Sequence, residues 1–141
     1  MRLGEILLQE GIVDVETLER ALSIQQKSGA QIGDVLIALG KINPLQLAKA
    51  LSLQFNLPYR NAVDYPANPE TLKEVVLVVG EQFLRTNAIL PLGRKGNVLG
   101  VVTSRPNAKE PLEALAKAMN AELFLFVCSE REIQMALTNQ F

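Results

Sequence analysis

The sequence has no histidine at all and only one cysteine, Cys128, among its 141 residues. The lack of histidine removes the usual general base of enzymes and the commonest metal ligand. A single cysteine excludes an intramolecular disulfide and fits a chain that works in a reducing cytoplasm. There is no phosphate-binding loop of the form Gly-x-x-x-x-Gly-Lys-Ser/Thr, and the carboxylates do not follow metal-ligand spacing. We therefore expect no enzymatic activity, no metal and no cofactor.

An excess of charge and long apolar runs are missing as well. The formal net charge is −1, so the chain lacks the basic footprint of a nucleic-acid binder. The longest apolar runs, such as Val75–Val79 and Leu123–Cys128, are far too short to span a bilayer. The first residues do not form a signal peptide, because Gly4 and Glu5 interrupt them at once. We expect a cytoplasmic protein that neither inserts into a membrane nor binds nucleic acid.

What the sequence does contain is an internal duplication. Residues 2–25 recur in degenerate form as residues 31–54, and a shift of 29 positions aligns eight identical pairs among 24. These pairs are Gly4/Gly33, Leu7/Leu36, Gly11/Gly40, Leu18/Leu47, Ala21/Ala50, Leu22/Leu51, Ser23/Ser52 and Gln25/Gln54. Solenoids usually need at least three repeats for stability. Two copies therefore favour a paired device with two similar half-sites over an array.

Each copy predicts two helices joined by a turn. In the first helix apolar residues recur at helical spacing, and Gly11 or Gly40 follows where a left-handed cap would end it. Asp14 and Asn43 are suitable N-caps for the second helix, and Pro44 fits its first turn. The second helices are expected to bury one face, formed by Leu18, Ala21, Leu22 and Gln25 in copy one and by Leu47, Ala50, Leu51 and Gln54 in copy two. We predict two helix–turn–helix hairpins, packed on each other, over residues 1–60.

Two glycines do not fit a purely structural pattern. Gly4 and Gly33 lie near the start of the first helices, where no C-cap is needed and each costs roughly 1 kcal/mol of helix propensity. A glycine there lets another group approach the backbone, at a helix N-terminus whose free N–H groups favour acceptor and anionic ligands. The alternative interpretation is that the leucines and glycines only form a core. A DNA-reading helix–turn–helix fits poorly, because no helix is rich in lysine and arginine.

The remaining residues, 61–141, predict a small three-stranded α/β subdomain, so that the fold class is α+β. A linker is expected at Asn61–Pro69, with Asn68 as the cap of a helix that opens at Pro69. The other predicted elements are helices at Glu81–Thr86, Pro111–Met119 and Ser129–Leu137, and strands at Ile89–Leu92, Val98–Val102 and Glu122–Cys128.

Three details of this subdomain are predicted from local pattern. Arg94–Asn97 is expected to form the turn between the first two strands. The strand Glu122–Cys128 alternates leucine or valine with phenylalanine, so both of its faces are apolar and it is expected to be buried. Ser129 and Glu132 predict a capping box for the last helix. Cys128 is then expected to be an inert core thiol.

The duplicated residues also carry a resemblance to a known family. The stretch that begins Arg2-Leu3-Gly4, with its repeat after a five-residue spacer, resembles the tandem 24-residue motif of MshEN-type domains. Those are the N-terminal domains of type II secretion and type IV pilus assembly ATPases, and many bind cyclic di-GMP. The resemblance continues beyond the motif, through Leu57–Tyr59, Gln82–Leu92 and Val98–Phe141. It implies the regulatory end of such an ATPase, or a free-standing relative, without the ATPase domain.

The resemblance further implies a ligand site shared by the two copies. Cyclic di-GMP is a pseudo-twofold molecule, so a duplicated motif is a natural complement to it. Apolar side chains would cover the purine planes, and the planar fork of Arg2 would pair with the O6/N7 edge of guanine. The implied ligand-binding residues are Arg2, Leu3, Gly4, Gly11, Leu18, Leu22, Gln25, Gln31, Ile32, Gly33, Gly40, Leu47, Leu51, Gln54, Arg85 and Arg105.

Two positions depart from the family pattern. Gln31 opens the second copy where many relatives carry arginine or lysine, and glutamine can bond a base edge without bringing charge. Arg105 stands where the family often has an aspartate that faces the ligand. Arg105 either contacts phosphate instead or marks a pocket of lower affinity. Arg85 takes the place of a ligand-facing arginine.

These departures keep a second function open. In type II secretion systems the corresponding domain contacts the cytoplasmic part of an inner-membrane platform protein. The chain would then be a protein-docking module with a degenerate, non-binding nucleotide site, held at the inner face of the bacterial inner membrane through its partner. The partners implied by the resemblance are thus cyclic di-GMP, a platform protein and an ATPase domain.

Overall fold

The computed structural model describes residues 2–60 and 67–140, so most of the predicted linker at Asn61–Pro69 lies outside the described residues. The chain forms two compact units, Met1–Asn56 and Leu57–Phe141, called here the helical unit and the α/β unit. The division comes before the predicted boundary at residue 60. Its cause is hydrogen bonding of this segment to the α/β unit: the backbone N–H of Val127 donates to Pro58 O (2.9 Å) and that of Arg60 donates to Val127 O (3.0 Å).

The helical unit contains four helices, in agreement with the prediction. They are α1 (Leu3–Gln9), α2 (Val15–Ser28), α3 (Ile32–Ala38) and α4 (Pro44–Phe55). The predicted N-caps are confirmed, since the side chain of Asp14 accepts from the N–H of Thr17 and that of Asn43 accepts from the N–H of Gln46. The Gln46 side chain returns a bond to the backbone N–H of Asn43, which completes a capping box.

The first helix of each copy ends in the same way. Gly11 and Gly40 have φ of +70° and +72°, a left-handed conformation that glycine adopts without steric cost. After α1, the N–H of Gly11 donates to Leu8 O and that of Ile12 donates to Leu7 O. The N–H groups of Gly40 and Lys41 make the equivalent bonds after α3. This pair of bonds is the Schellman motif, so the predicted caps are confirmed in both copies.

Packing within the helical unit interlocks the two copies. Helix α1 packs along α4 and α2 packs along α3, while α1 and α3 also meet. Each first helix therefore lies against the second helix of the other copy, an arrangement that the simpler prediction of two stacked hairpins did not include. The core repeats the same positions in both copies: Ile6 and Val35, Leu7 and Leu36, Val13 and Ile42, and Ala21 and Ala50 are all buried.

The α/β unit is built on a three-stranded sheet in the order β1-β2-β3. Strand β1 (Ile89–Lys95) is antiparallel to β2 (Val98–Thr103), and β2 is parallel to β3 (Glu122–Val127). The turn between β1 and β2 is only Gly96-Asn97, because β1 continues to Lys95 instead of ending at the predicted Leu92, and Gly96 has a φ of +62°. A two-residue connection is the commonest form of a hairpin loop.

The described part of this unit, residues 57–60 and 67–140, also contains four helices: α5 (Pro69–Val79), α6 (Glu81–Asn87), α7 (Lys109–Met119) and α8 (Glu130–Gln140). Asn68 caps α5 as predicted, and its side chain accepts from the N–H groups of Glu70 and Thr71. Helix α7 connects the two parallel strands and begins two positions before the predicted Pro111. The core between sheet and helices includes Val75, Leu84, Leu115, Ile133 and Leu137.

Strand β3 differs from its prediction. It is the edge strand of the three-stranded sheet, where it pairs with β2 and, at Val127, also forms an isolated bridge with Tyr59, and it is not buried on both faces. Phe124 is 54 % exposed, and only Val127 is fully buried within the strand. The ring of Phe126 lies 5.2 Å from that of Phe124, and the guanidinium of Arg60 lies 4.8 Å from the Phe126 ring. Alternation of two apolar residue types therefore did not indicate a central strand.

The start of α8 realises half of the predicted capping box. The backbone N–H of Glu132 donates to Ser129 Oγ (3.2 Å). The Glu132 carboxylate lies at 2.6 Å from the sulfur of Cys128 and accepts from its thiol. Cys128 is buried, as expected for a core thiol. Across residues 2–60 and 67–140, no helix has the length and apolar character needed to cross a membrane.

Candidate functional site

Arg2 and Gln31 are the first residues of the two copies, called here the heads, and their backbone geometry is nearly the same. Each is the N-cap residue of its first helix, with φ −73° and ψ 154° at Arg2 and φ −73° and ψ 145° at Gln31. Both side chains are exposed, and neither caps its helix. Within the described residues, neither side chain makes a hydrogen bond or an ion pair. Two polar side chains of different chemistry are therefore presented at equivalent places.

Gly4 and Gly33 explain how the helices of one copy approach each other. A Cβ added to Gly4 would lie 3.0 Å from a methyl carbon of Leu18, and one added to Gly33 would lie 2.6 Å from a methyl carbon of Leu47. The group that comes close to each glycine in this structure is thus the leucine of the following helix. The sequence pattern predicted that some group approaches these glycines closely, but it did not indicate whether that group is a leucine or a ligand.

The two heads of the motif are neighbours in the helical unit. The side chain of Leu3 reaches to 3.5 Å from the place where a Cβ on Gly33 would stand. Leu3 and Gly33 are buried by this contact, while Ile32 is half-buried. Since Leu3 follows Arg2 and Gly33 follows Ile32 and Gln31, the starts of α1 and α3 lie side by side.

The second helices leave part of their motif face accessible. In α2, Leu18 and Gln25 are half-buried and Leu22 is 42 % exposed. The corresponding residues of α4, which are Leu47, Leu51 and Gln54, are all half-buried. The prediction that these faces would be buried is therefore only partly right. A leucine face that stays half-exposed offers apolar area to a planar ligand.

Gly11 and Gly40 lie at the opposite ends of α1 and α3 from these heads. Both are exposed, and a Cβ built on either would meet no atom within 4 Å. Their positive φ, rather than space for a neighbour, is what requires glycine. Among the sixteen predicted residues, these two have a clear structural role as helix caps.

The cap at the start of α2 also has an electrostatic consequence. Hydrogen bonds from Thr17, through its side chain first and its backbone N–H second, lower the pKa of Asp14 from its usual 3.8. The cause is that these bonds favour the ionised carboxylate. The equivalent cap in copy two, Asn43, carries no ionisable group. The two copies therefore differ in a second place, in how their caps respond to acid.

Arg85 and Arg105 belong to the α/β unit and are held there by other residues. Arg85 pairs with Glu81 one turn earlier in α6 (2.9 Å) and donates to the Thr138 hydroxyl on α8 (3.2 Å). The backbone O of Arg85 accepts from the Gln134 side chain (2.7 Å). Arg85 thus joins α6 to α8, and its side chain remains 30 % exposed.

Arg105 forms a similar bridge from the loop after β2. Its guanidinium donates to the backbone O of Thr86 (3.0 Å) at the end of α6 and forms an ion pair with Glu130 in the first turn of α8. Neither Glu130 nor Thr86 is predicted as a partner of Arg105 by the sequence. They lie 25 and 19 positions away, and no local pattern connects them. The side chain keeps 43 % exposure, so the pair is accessible to solvent.

The structure therefore groups fourteen of the predicted residues in the helical unit and two in the α/β unit. Within the described residues, no cluster of three or more histidine, cysteine or acidic side chains has the geometry of a metal site. A separate shallow hollow of about 420 Å³ lies between Asn97, at the hairpin turn, and Glu122, with Lys117 and Asn120 of the α7 end beside it. None of the predicted site residues lines it.

Known proteins are similar to this chain over both units. A family model described as the MshEN domain matches residues 55–140, more than half of the chain. The type IV pilus assembly ATPase PilB of Myxococcus xanthus is 31 % identical over 140 residues, which is 99 % of this chain and 24 % of the relative. PilB of Acinetobacter baylyi is 28 % identical over 136 residues, 96 % of this chain and 23 % of the relative. The chain thus spans about a quarter of the length of these relatives.

Two solved structures share the fold. The structure of MshE with cdg, cyclic di-GMP, superposes with a TM-score of 0.85 at 27 % identity and covers 100 % of this chain and 99 % of that one. The N-terminal domain of XpsE superposes with a TM-score of 0.78 at 23 % identity, over 97 % of this chain and 92 % of that one. The mixed α+β fold predicted from the sequence is confirmed by these similarities.

Proposed function

This chain belongs to the MshEN domain family, and from that premise we propose that it is a regulatory module that binds cyclic di-GMP across its two tandem motifs. The observation that carries the proposal is its similarity, over the whole chain, to MshE solved with cyclic di-GMP. The tandem motif that suggested this ligand lies in residues 2–54, all of which precede the stretch matched by the family model, residues 55–140.

The chemistry of the helical unit suits such a ligand. The half-buried faces of Leu18 and Leu47 and the exposed Leu22 supply apolar area for purine planes. The exposed guanidinium of Arg2 presents parallel donors that match the O6 and N7 acceptors of guanine. A near-neutral net charge of −1 is compatible with a site that relies on stacking and base edges.

The relatives suggest where the module works. Because the PilB proteins are type IV pilus assembly ATPases about four times as long, we propose that this chain acts as the regulatory N-terminal part of such an ATPase or as a free-standing relative. It would act in the cytoplasm, at the inner face of the inner membrane through a partner. Ligand binding would bias the motor only if the ligand prefers one conformation over another.

Calorimetric titration of the purified chain with cyclic di-GMP tests the proposal. We expect saturable binding and a rise in melting temperature, because a ligand that binds only the folded state stabilises it. Arg2→Ala should weaken binding about tenfold or more, since a bidentate base contact contributes about 1–3 kcal/mol of discrimination. Arg20→Ala removes an equally exposed arginine of α2 that is not in the predicted site, and it should bind like the parent chain.

No heat and no thermal shift at millimolar ligand would reject cyclic di-GMP binding. Equal weakening by the two alanine variants would mean that the arginines act through general charge and not through a specific contact at Arg2.

A protein-docking module is the second candidate, and one observation favours it. Arg105 is engaged by Glu130 and Thr86 inside the α/β unit, so binding phosphate through Arg105 would have to displace an existing ion pair. Co-purification with the cytoplasmic domain of an inner-membrane platform protein, together with absent nucleotide binding, would support docking. Failure to co-purify with any platform domain of the same system would reject it.

A further inference from the structure

The heads of the two motif copies differ in chemistry but not in placement. Arg2 and Gln31 are related by the 29-residue shift, share nearly the same backbone angles and are both exposed. No bond to another described residue fixes either side chain. A ligand that contacts both heads would therefore meet two different sets of hydrogen-bond donors and acceptors, one from arginine and one from glutamine.

The two heads are also close enough to face one ligand. Helices α1 and α3 pack together, and the side chain of Leu3, beside Arg2, reaches to 3.5 Å from the place where a Cβ on Gly33, two positions after Gln31, would stand. A molecule with two similar halves that lies over the starts of both helices would present one half to Arg2 and the other to Gln31.

Arginine and glutamine read different purines. The guanidinium offers two parallel donors, which match the O6 and N7 acceptors of guanine. The glutamine amide offers one donor and one acceptor, which match the N7 acceptor and the N6 amino donor of adenine. Against guanine the amide can make only one of its two bonds, because its carbonyl oxygen would then face the O6 oxygen.

We propose that the half-site headed by Gln31 takes adenine, so that the preferred ligand of this chain is a hybrid cyclic dinucleotide with one guanine and one adenine. This inference rests on the proposed function, since it assumes that a cyclic dinucleotide binds across the two motifs. It adds the choice of base at each half-site and makes the sequence difference between the copies the determinant of specificity.

Competition calorimetry with three probes tests it: cyclic di-GMP, cyclic di-AMP and 3′,3′-cyclic GMP-AMP. The parent chain should bind the hybrid about tenfold more tightly than cyclic di-GMP, which is the effect of one good base contact. Gln31→Arg should reverse the order in favour of cyclic di-GMP. Arg2→Gln should shift the preference towards cyclic di-AMP.

The control is Gln26→Arg, which adds the same charge to an exposed position of α2 outside the motif. It should leave the ratio of the affinities unchanged. Circular dichroism of each variant verifies that the helices are retained, which is expected because Arg2, Gln31 and Gln26 are all exposed.

The outcomes separate this inference from the function on which it rests. Tight binding of cyclic di-GMP with a weaker hybrid, or a ratio that Gln31→Arg does not move, contradicts the inference and leaves the proposed function standing. Absence of binding by all three probes contradicts both.

Discussion

The two copies of the repeat have matching backbones and different accessible side chains. Both first helices span seven residues and end in the same Schellman motif, and both second helices begin at a side-chain cap. Their buried positions are occupied by the same or similar apolar residues. Among the exposed positions that differ between the copies are the heads, Arg2 and Gln31, and the caps, Asp14 and Asn43.

The fold constrains the buried positions of the two copies, whereas the exposed positions can vary. Leu7 and Leu36 are fully buried in the shared core, where a change in volume costs packing energy. The side chains of Arg2 and Gln31 are exposed and make no hydrogen bond or ion pair with another described residue, so a change there costs the fold little. Divergence at such positions leaves the architecture intact.

The largest effect is expected from breaking the core at equivalent positions. Leu7→Ala and Leu36→Ala should each lower the free energy of unfolding of the helical unit by about 2–5 kcal/mol. The two losses should be similar, because both side chains are 0 % exposed and occupy matching places. Urea denaturation followed by circular dichroism measures them, and Leu77→Ala, at a leucine that is 84 % exposed, is the control with little expected change. A large loss at only one of the two leucines would mean that the copies are not structurally equivalent.

A smaller effect should reveal how the copies differ in packing. Replacement of a helical glycine by alanine gains roughly 1 kcal/mol of helix propensity. At Gly4 the new methyl would meet Leu18 at 3.0 Å, whereas at Gly33 it would meet Leu47 at 2.6 Å with Leu3 on another side. We expect Gly4→Ala to be neutral or stabilising and Gly33→Ala to be less stable than Gly4→Ala by about 1 kcal/mol or more. Melting temperatures of the two variants give the order, and the reverse order would show that Leu47 moves away freely.

The smallest effect concerns acid. Because the folded-state pKa of Asp14 is lowered, its contribution to stability is present above the usual value of 3.8 and is lost as the pH falls through the folded-state value. Lowering the pH from 5 towards 3 should therefore reduce the melting temperature less in Asp14→Asn than in the parent chain. Asn43→Asp should make the decline steeper, since it gives copy two a titrating cap. Identical pH profiles for all three chains would mean that these caps have no measurable influence.

Local features were the ones that could be predicted from the sequence. Asp14, Asn43 and Asn68 act as N-caps and Gly11 and Gly40 as helix ends, because each signal depends on bonds that span only a few residues. The period of apolar residues likewise predicted the helices of both units.

Features that depend on distant partners could not be predicted in this way. The packing of α1 on α4 and of α2 on α3 joins segments that no short sequence pattern relates. The exposed Phe124 follows from the position of β3 at the sheet edge, which its own composition does not encode. The ion pair of Arg105 with Glu130 depends on the path of the chain through β2, α7 and β3. For the candidate site, the duplication indicated which residues to compare, but the leucines that approach Gly4 and Gly33 became visible only in three dimensions.

The crossed packing of the two copies makes the short connection between α2 and α3, Gly29–Gln31, a molecular tether. A single copy, with α1 and α2 alone, would leave the apolar faces that meet α4 and α3 uncovered and would have to find a second molecule to cover them. A short linker holds the second copy at an effective concentration in the millimolar range. Association of the two copies therefore does not depend on how much protein is present, and the heads Arg2 and Gln31 are kept in a one-to-one ratio. A dimer of identical copies would carry the same head twice, whereas the tether keeps two different heads in one molecule.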